Sequence, residues 1–169
     1  FIAKDLIEMA KNYNEINYLV PGHPLCSEKT SEYLLIYGKD NDVDINIISS
    51  MTFISPILKL VQKDITNGTK IIDSLSIDNN ELDINTDIII TQVYNKLIAS
   101  EMKLCLSEVY GDEHEITVLN KIGLKEESLK KIQIYELDRL ENFDHTTYIY
   151  IPKVENNTIR KFNMYNLIK

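Results

Sequence analysis

Apolar residues fall at Ile2, Leu6 and Met9 with polar residues between them, a spacing that predicts a helix over residues 1–13. Residues 16–20 form a short apolar run stopped by Pro21-Gly22, which predicts a strand followed by a turn. Residues 27–37 return to helical spacing, and Gly38 reads as the stop at the end of that helix. A β-rich run at 44–48, a helix over 53–61 and a short strand at 70–73 follow, then an Asn- and Asp-rich loop over 77–87. The run DIIITQV at 87–93 is the clearest buried strand, because its β-branched residues are consecutive rather than alternating. Beyond it the pattern predicts a helix over 97–109, a strand at 115–120, a helical turn at 126–131, a strand at 132–135, a short helix at 137–140, and a strand at 148–151 closed by Pro152.

Strands that alternate with helices place the chain in the α/β class. The early β-α-β-α order implies right-handed parallel crossovers, while the shorter later links favour a mixed sheet. A boundary is expected near residues 50–56, where Ser49, Ser50, Ser55 and Pro56 cluster. The 169 residues are 44% hydrophobic, enough for a real core, and the formal net charge is −8. That acidity argues against a nucleic-acid or anionic-membrane partner. Cys26 and Cys105 are not spaced for metal or redox work, which points to reduced thiols and a cytoplasmic location. No apolar run reaches the length of a membrane span.

In open α/β sheets ligands bind beyond the carboxyl ends of the strands, and three stretches fit that rule. In Val20-Pro21-Gly22-His23-Pro24, a glycine lets the backbone approach a ligand and two prolines stiffen the turn. In Ser49-Ser50-Met51-Thr52-Phe53, hydroxyls either cap the following helix or leave N–H groups for a ligand carboxylate. At the exit of the buried strand, Gln92 and Asn95 can bond an adenine or ribose edge and Tyr94 can pack on a ring; a helix cap is the other role for Asn95. His23, His114 and His145 have no second ligand at helical or turn spacing, so no metal site is expected, and His114 reads as part of a surface turn. Both thiols read as core rather than nucleophile.

Read together, these loops resemble the class III S-adenosylmethionine-dependent methyltransferases of the tetrapyrrole methylase type that are fused to MazG-type pyrophosphohydrolases. Tyr18-Leu19-Val20-Pro21-Gly22-His23-Pro24 is similar to their VPGHP loop, which is G-D-P in other class III enzymes. Gln92-Val93-Tyr94 followed by Ala99-Ser100-Glu101-Met102-Lys103-Leu104, then Tyr110-Gly111-Asp112-Glu113-His114, Glu136-Leu137-Asp138-Arg139 and Phe143-Asp144-His145 with Thr146-Thr147, match further blocks in the same order. Where the family has P-G-x-S, this chain has Ser49-Ser50-Met51-Thr52, which blocks any backbone approach that needs φ > 0 there.

The resemblance implies a two-lobed fold: residues 1–52 as the later part of a first lobe with parallel strands, 53–152 as a second lobe with a mixed sheet, and 153–169 as a tail toward a MazG-type domain. It implies S-adenosylmethionine held largely by backbone groups of Gly22, His23 and Pro24, of Thr52 and Phe53, of Val93, Tyr94 and Asn95, and of Thr147. It implies a small-molecule methyl acceptor of tetrapyrrole type and a homodimer. The competing expectation is a non-catalytic module that senses a ligand, or dimerises, on behalf of an attached nucleotide pyrophosphohydrolase.

Overall fold

The computed structural model describes residues 2–77 and 81–154. Two helices open the chain, α1 (Ile2–Ala10) and α2 (Lys29–Asp40), and α3 (Ile54–Val61) follows. Then come β1 (Thr69–Asp73), β2 (Asp87–Thr91), α4 (Lys96–Tyr110), β3 (Glu115–Asn120), β4 (Ser128–Gln133) and β5 (Thr147–Ile151). The five strands form one mixed sheet in the order β1-β2-β5-β3-β4. β1 and β2 pair in parallel, and the other pairings are antiparallel.

The core follows from the strand sequences. Every residue of β2 is buried, so the Ile88-Ile89-Ile90 run feeds both faces at once. Ile88 and Ile90 join Ile116, Val118, Ile149 and Ile151 beneath Ala99, Met102 and Leu106 of α4. Ile89, Leu119 and Tyr150 form the other face with Ile57 of α3. A fully buried isoleucine contributes roughly 1.5–3 kcal/mol, so the three consecutive isoleucines of this doubly covered strand contribute several kcal/mol. Asp87, also buried, accepts from the Lys153 N–H at 2.9 Å. Together with the Val154 N–H to Ile84 carbonyl bond at 2.8 Å, it ties the segment after β5 to the end of the sheet where β2 begins.

A third, separate cluster joins α1 to α2 through Ala3, Ile7 and Leu34, with Val43 and Ile45 packed against it. Its tightest point is Gly38. The sequence marked this glycine as a helix stop, yet it lies inside α2, which ends at Asp40 with Asn41 as its C-cap. A Cβ at Gly38 would sit 2.6 Å from Ile45 Cγ1 and 2.8 Å from the Val43 carbonyl oxygen. The glycine is there for close approach, not for termination.

Three sequence expectations change. Residues 16–20 and 44–48 are outside any strand. Their composition favours extension, but a strand needs a ladder partner, and neither has one among the described residues; Leu19 is 90% and Ile48 71% exposed. The sheet is mixed as expected, and its one parallel pair lies at β1–β2 rather than in the first fifty residues. Residues 128–133, assigned partly to a helical turn, form edge strand β4, and the strand expected at 132–135 gives way after Gln133 to a 3₁₀ turn over Ile134–Arg139. Of the tail expected at 153–169, residues beyond 154 lie outside the described residues.

Gly38→Ala should cost about 1–3 kcal/mol of stability through overpacking against Val43 and Ile45, net of alanine's better helix propensity. Urea unfolding checks this as a lower midpoint; an unchanged or higher midpoint would show that the 43–45 segment yields freely.

Candidate functional site

The register brings the carboxyl ends of β1, β2 and β3 and the starts of β4 and β5 to the same edge of the sheet. That edge is where ligands sit in open α/β sheets, and the loops singled out from sequence gather there. The turn at 21–24 lies against the 49–52 segment: Gly22 has φ +83, is exposed, and a Cβ built on it would meet the Met51 carbonyl oxygen at 3.4 Å. Within the turn, His23 Nδ1 accepts from the Leu25 N–H at 3.1 Å and the His23 carbonyl accepts from the Cys26 N–H at 3.0 Å. Pro24, between them, is half-buried.

The same loop is then fastened to the sheet. The Ser27 hydroxyl donates to Thr91 Oγ1 at 3.2 Å, and the Gln92 side-chain amide donates to the Ser27 carbonyl at 3.3 Å. From the other side, the buried Ser74 hydroxyl donates to the Gln92 carbonyl at 3.0 Å. Ser27 at φ +60 and Gln92 at φ +65 both adopt the left-handed region. For a residue with a Cβ this costs about 1–3 kcal/mol, and such strain concentrates at functional sites. The sequence pointed to the Gln92 side chain but gave no sign of its backbone; Thr91 stood in the same strand-exit stretch with no role of its own, and Ser27 read only as the start of a helix.

The other expected residues contribute in different ways. Thr52 is half-buried at the start of α3. The Phe53 ring stacks on Tyr148 with centroids 4.9 Å apart and packs into the α3-face core. Val93 is wholly buried in the α4-face core. Tyr94 stacks on His145 at 5.1 Å. Asn95 is the N-cap of α4, its Oδ1 accepting from the Ile98 N–H at 2.9 Å. Thr147 is fully buried, and its Oγ1 accepts from the Asp144 N–H at 2.9 Å. The side chains of Phe53, Val93, Asn95 and Thr147 are thus engaged in packing or capping, and what they offer a ligand is main chain. Ser49 and Ser50 are exposed and neither has positive φ, so the serines do not strain this loop.

Beside the Ser27–Thr91 contact lies a cavity of about 400 Å³, bordered by Leu25, Ser27, Glu28, Ile72, Asp73 and Thr91, with Lys29 and Glu32 at its mouth. None of the nine residues expected from sequence lines it. Its acids have defined partners: Glu28 caps α2 through the Thr30 N–H, Asp73 accepts from the Leu75 N–H, and Glu32 meets Lys29 at 3.1 Å. The Glu32 contact raises the Lys29 ammonium above its ordinary value. Three carboxylates against one ammonium make the cavity a better host for positive than for negative charge. Elsewhere, burial pushes the Cys105 thiol up, which suits a core residue and not a nucleophile. His114 is half-buried, with Nε2 2.9 Å from the Pro152 carbonyl.

No family model matches the chain. Over 154 residues it is 30% identical to the protein YabN of Bacillus subtilis, described as uncharacterized; the match takes in 91% of this chain and 31% of YabN's length. Among solved structures, a uroporphyrin-III C-methyltransferase from Thermus thermophilus superimposes with a TM-score of 0.69 at 15% identity, over 90% of this chain and 70% of that one. The chain has the fold of this methyltransferase. The methyltransferase CobJ gives 0.67 at 11% identity over 93% of this chain and 72% of its own. A second structure of the Thermus enzyme, in complex with S-adenosylhomocysteine, gives 0.65 at 12% identity over 88% and 71%. Among the described residues no helix is long and apolar enough to cross a membrane.

The turn that leads into Thr147 is closed by a carboxylate. The Asp144 carboxylate accepts from both the Thr146 hydroxyl and the Thr146 N–H, at 2.5 and 2.8 Å, and the hydroxyl bond chiefly holds its carboxyl below the ordinary carboxylate value. Its folded value is lower than its unfolded one, so the stabilisation is complete above the unfolded value near 4 and is lost as pH falls through the folded one. Asp144→Asn should therefore be less stable than wild type at neutral pH, with the gap closing as pH drops below about 4. Thermal melts at a series of pH values test this; a gap independent of pH would contradict it.

Proposed function

We propose that this chain is part of an S-adenosylmethionine-dependent methyltransferase domain that acts on a tetrapyrrole-like small molecule, within a protein that also carries a MazG-type nucleoside triphosphate pyrophosphohydrolase. The observation behind this reading is the gathering of the 21–28, 49–53 and 91–95 stretches at the carboxyl edge of a sheet with a methyltransferase fold. The division into a first-lobe portion over 1–52 and a second lobe over 53–152 agrees with the separate α1–α2 cluster, and the homodimer belongs to the same reading.

The residues present fit the cofactor. Gly22 leaves main chain bare at the turn, the 92–95 exit offers further main chain, and the neighbouring cavity has an acidic border suited to a sulfonium or ammonium group. When bound, the cofactor supplies an activated methyl group. Transfer to a nucleophilic carbon is an in-line displacement that depends on alignment and on exclusion of water more than on acid–base chemistry. In that scheme the strand-end loops align the donor, and the Tyr94–His145 stack walls the crevice beside them. The Ser27–Thr91–Gln92 bonds order this edge before any ligand arrives, which lowers the entropy that binding must remove.

Calorimetric titration of the full-length protein with S-adenosylhomocysteine should show sub-millimolar binding. Gly22→Val places a β-branched residue at φ +83 and should weaken binding by at least about tenfold while the domain stays folded, with a melting temperature lowered by the backbone strain. No binding at millimolar cofactor would defeat the methyltransferase reading, and an unchanged affinity in the valine variant would remove this turn from the site.

A further inference from the structure

The main chain of residues 16–20 and 44–48 makes no hydrogen bond among the described residues. Each of these residues carries one donor and one acceptor, so the two runs present open ladder edges. Two contacts fix how the runs lie. Lys11, ahead of the first run, donates from Nζ to Oδ1 of Asn41, ahead of the second, at 2.9 Å. Beyond the far ends, a Cβ on Gly22 would meet the Met51 carbonyl oxygen at 3.4 Å. Both runs therefore leave one end of the α1–α2 pair and arrive together at the carboxyl edge, pointing the same way. Along the second run burial alternates: Val43, Ile45 and Ile47 are half-buried, while Asp44, Asn46 and Ile48 are exposed. That is the two-residue period of a strand with one face on the helices, and Val43 and Ile45 do pack on the α1–α2 cluster. With α2 as the crossover the unit has β-α-β form, whose strands share one parallel sheet. Parallel members of one sheet that do not bond to each other leave room for a strand between them.

We infer that a parallel strand inserts between residues 16–20 and 44–48, completing a second sheet against α1 and α2, and that it comes from the same polypeptide outside these 169 residues. Pairing along open main chain calls for an extended segment rather than a helix or a small molecule. Tyr18, Leu19 and Ile48 on the same runs are exposed apolar side chains that such a layer would cover. The match takes in 31% of YabN and 70% of the Thermus methyltransferase, so both have residues beyond the matched part. Since the two runs lead straight into the 21–24 and 49–52 turns, the inserted strand would brace both turns from behind. The assignment uses main-chain bonds alone and holds whatever chemistry the carboxyl edge performs.

Residue-resolved hydrogen exchange on the full-length protein reads the pairing. Successive N–H groups of a strand point to opposite sides, so alternate amides of 16–20 and of 44–48 should exchange at least about a thousandfold more slowly than in an unfolded chain. Exchange of all of them at the unfolded rate would overturn the inference. A photo-reactive phenylalanine analogue placed at the exposed Asn46 identifies the occupant. In dilute full-length protein it should cross-link within one chain, to a residue outside 1–169. A cross-link to a second copy or to residues 155–169, or no cross-link at all, would overturn the assignment of the strand. If both results are as expected and S-adenosylhomocysteine still does not bind, the methyltransferase reading fails while the inserted strand stands.

Discussion

Ser27 is the hinge point of the whole arrangement. Its hydroxyl meets Thr91, its carbonyl takes the Gln92 amide, and both Ser27 and Gln92 hold left-handed backbones to make the fit. These two conformations together cost a few kcal/mol, and the neighbouring bonds, including the buried Ser74 hydroxyl on the Gln92 carbonyl, keep them in place. Without this fastening the 21–28 loop would have no fixed relation to the sheet, and the turns that carry Gly22 and His23 would not share an edge with the end of β2.

The sheet gives that junction a rigid base. β2 is buried along its whole length, with α4 on one face and α3 on the other, so its last residue, Thr91, is held firmly. Thr91 and Gln92 then pass directly into the Val93-Tyr94-Asn95 exit. There Val93 enters the core and Asn95 caps α4, and Gln92 O accepts from the Tyr94 N–H at 3.0 Å. With the Val93 and Asn95 side chains occupied with structure, what this exit has to offer a ligand is main chain. Under the proposed function, recognition by shape and by backbone hydrogen bonds suits a reaction governed by alignment.

How far this could be read from the sequence depended on whether the signal was local. β2, β3 and β5 were legible because burial on one or both faces demands β-branched or aromatic residues in a row, and α4 because its apolar spacing spans four turns. β4 was not, since SLKKIQ is an edge strand with only Ile132 buried, and lysines on an edge mimic a polar helical turn. Residues 16–20 and 44–48 show the converse: they have strand composition, but pairing is a non-local property and composition cannot supply a partner. Gly38 looked like punctuation because a close approach to Val43 and Ile45 cannot be seen along one helix. In the candidate site the glycine, proline and exit motifs were visible in sequence. The left-handed serine and glutamine were not, nor was the cavity, whose walls come from three separate stretches of the chain, at 25–32, 71–73 and 91.

A crystal structure of the full-length protein with S-adenosylhomocysteine bound is the most direct measurement of where this edge acts. The ligand should lie against the main chain of residues 22–24 and 92–95, within hydrogen-bonding reach of both, with the Ser27–Thr91–Gln92 bonds intact. A ligand seated at the opposite end of the sheet, near Asp87 and Lys153, or one that touches only one of the two stretches, would contradict the assignment of the site.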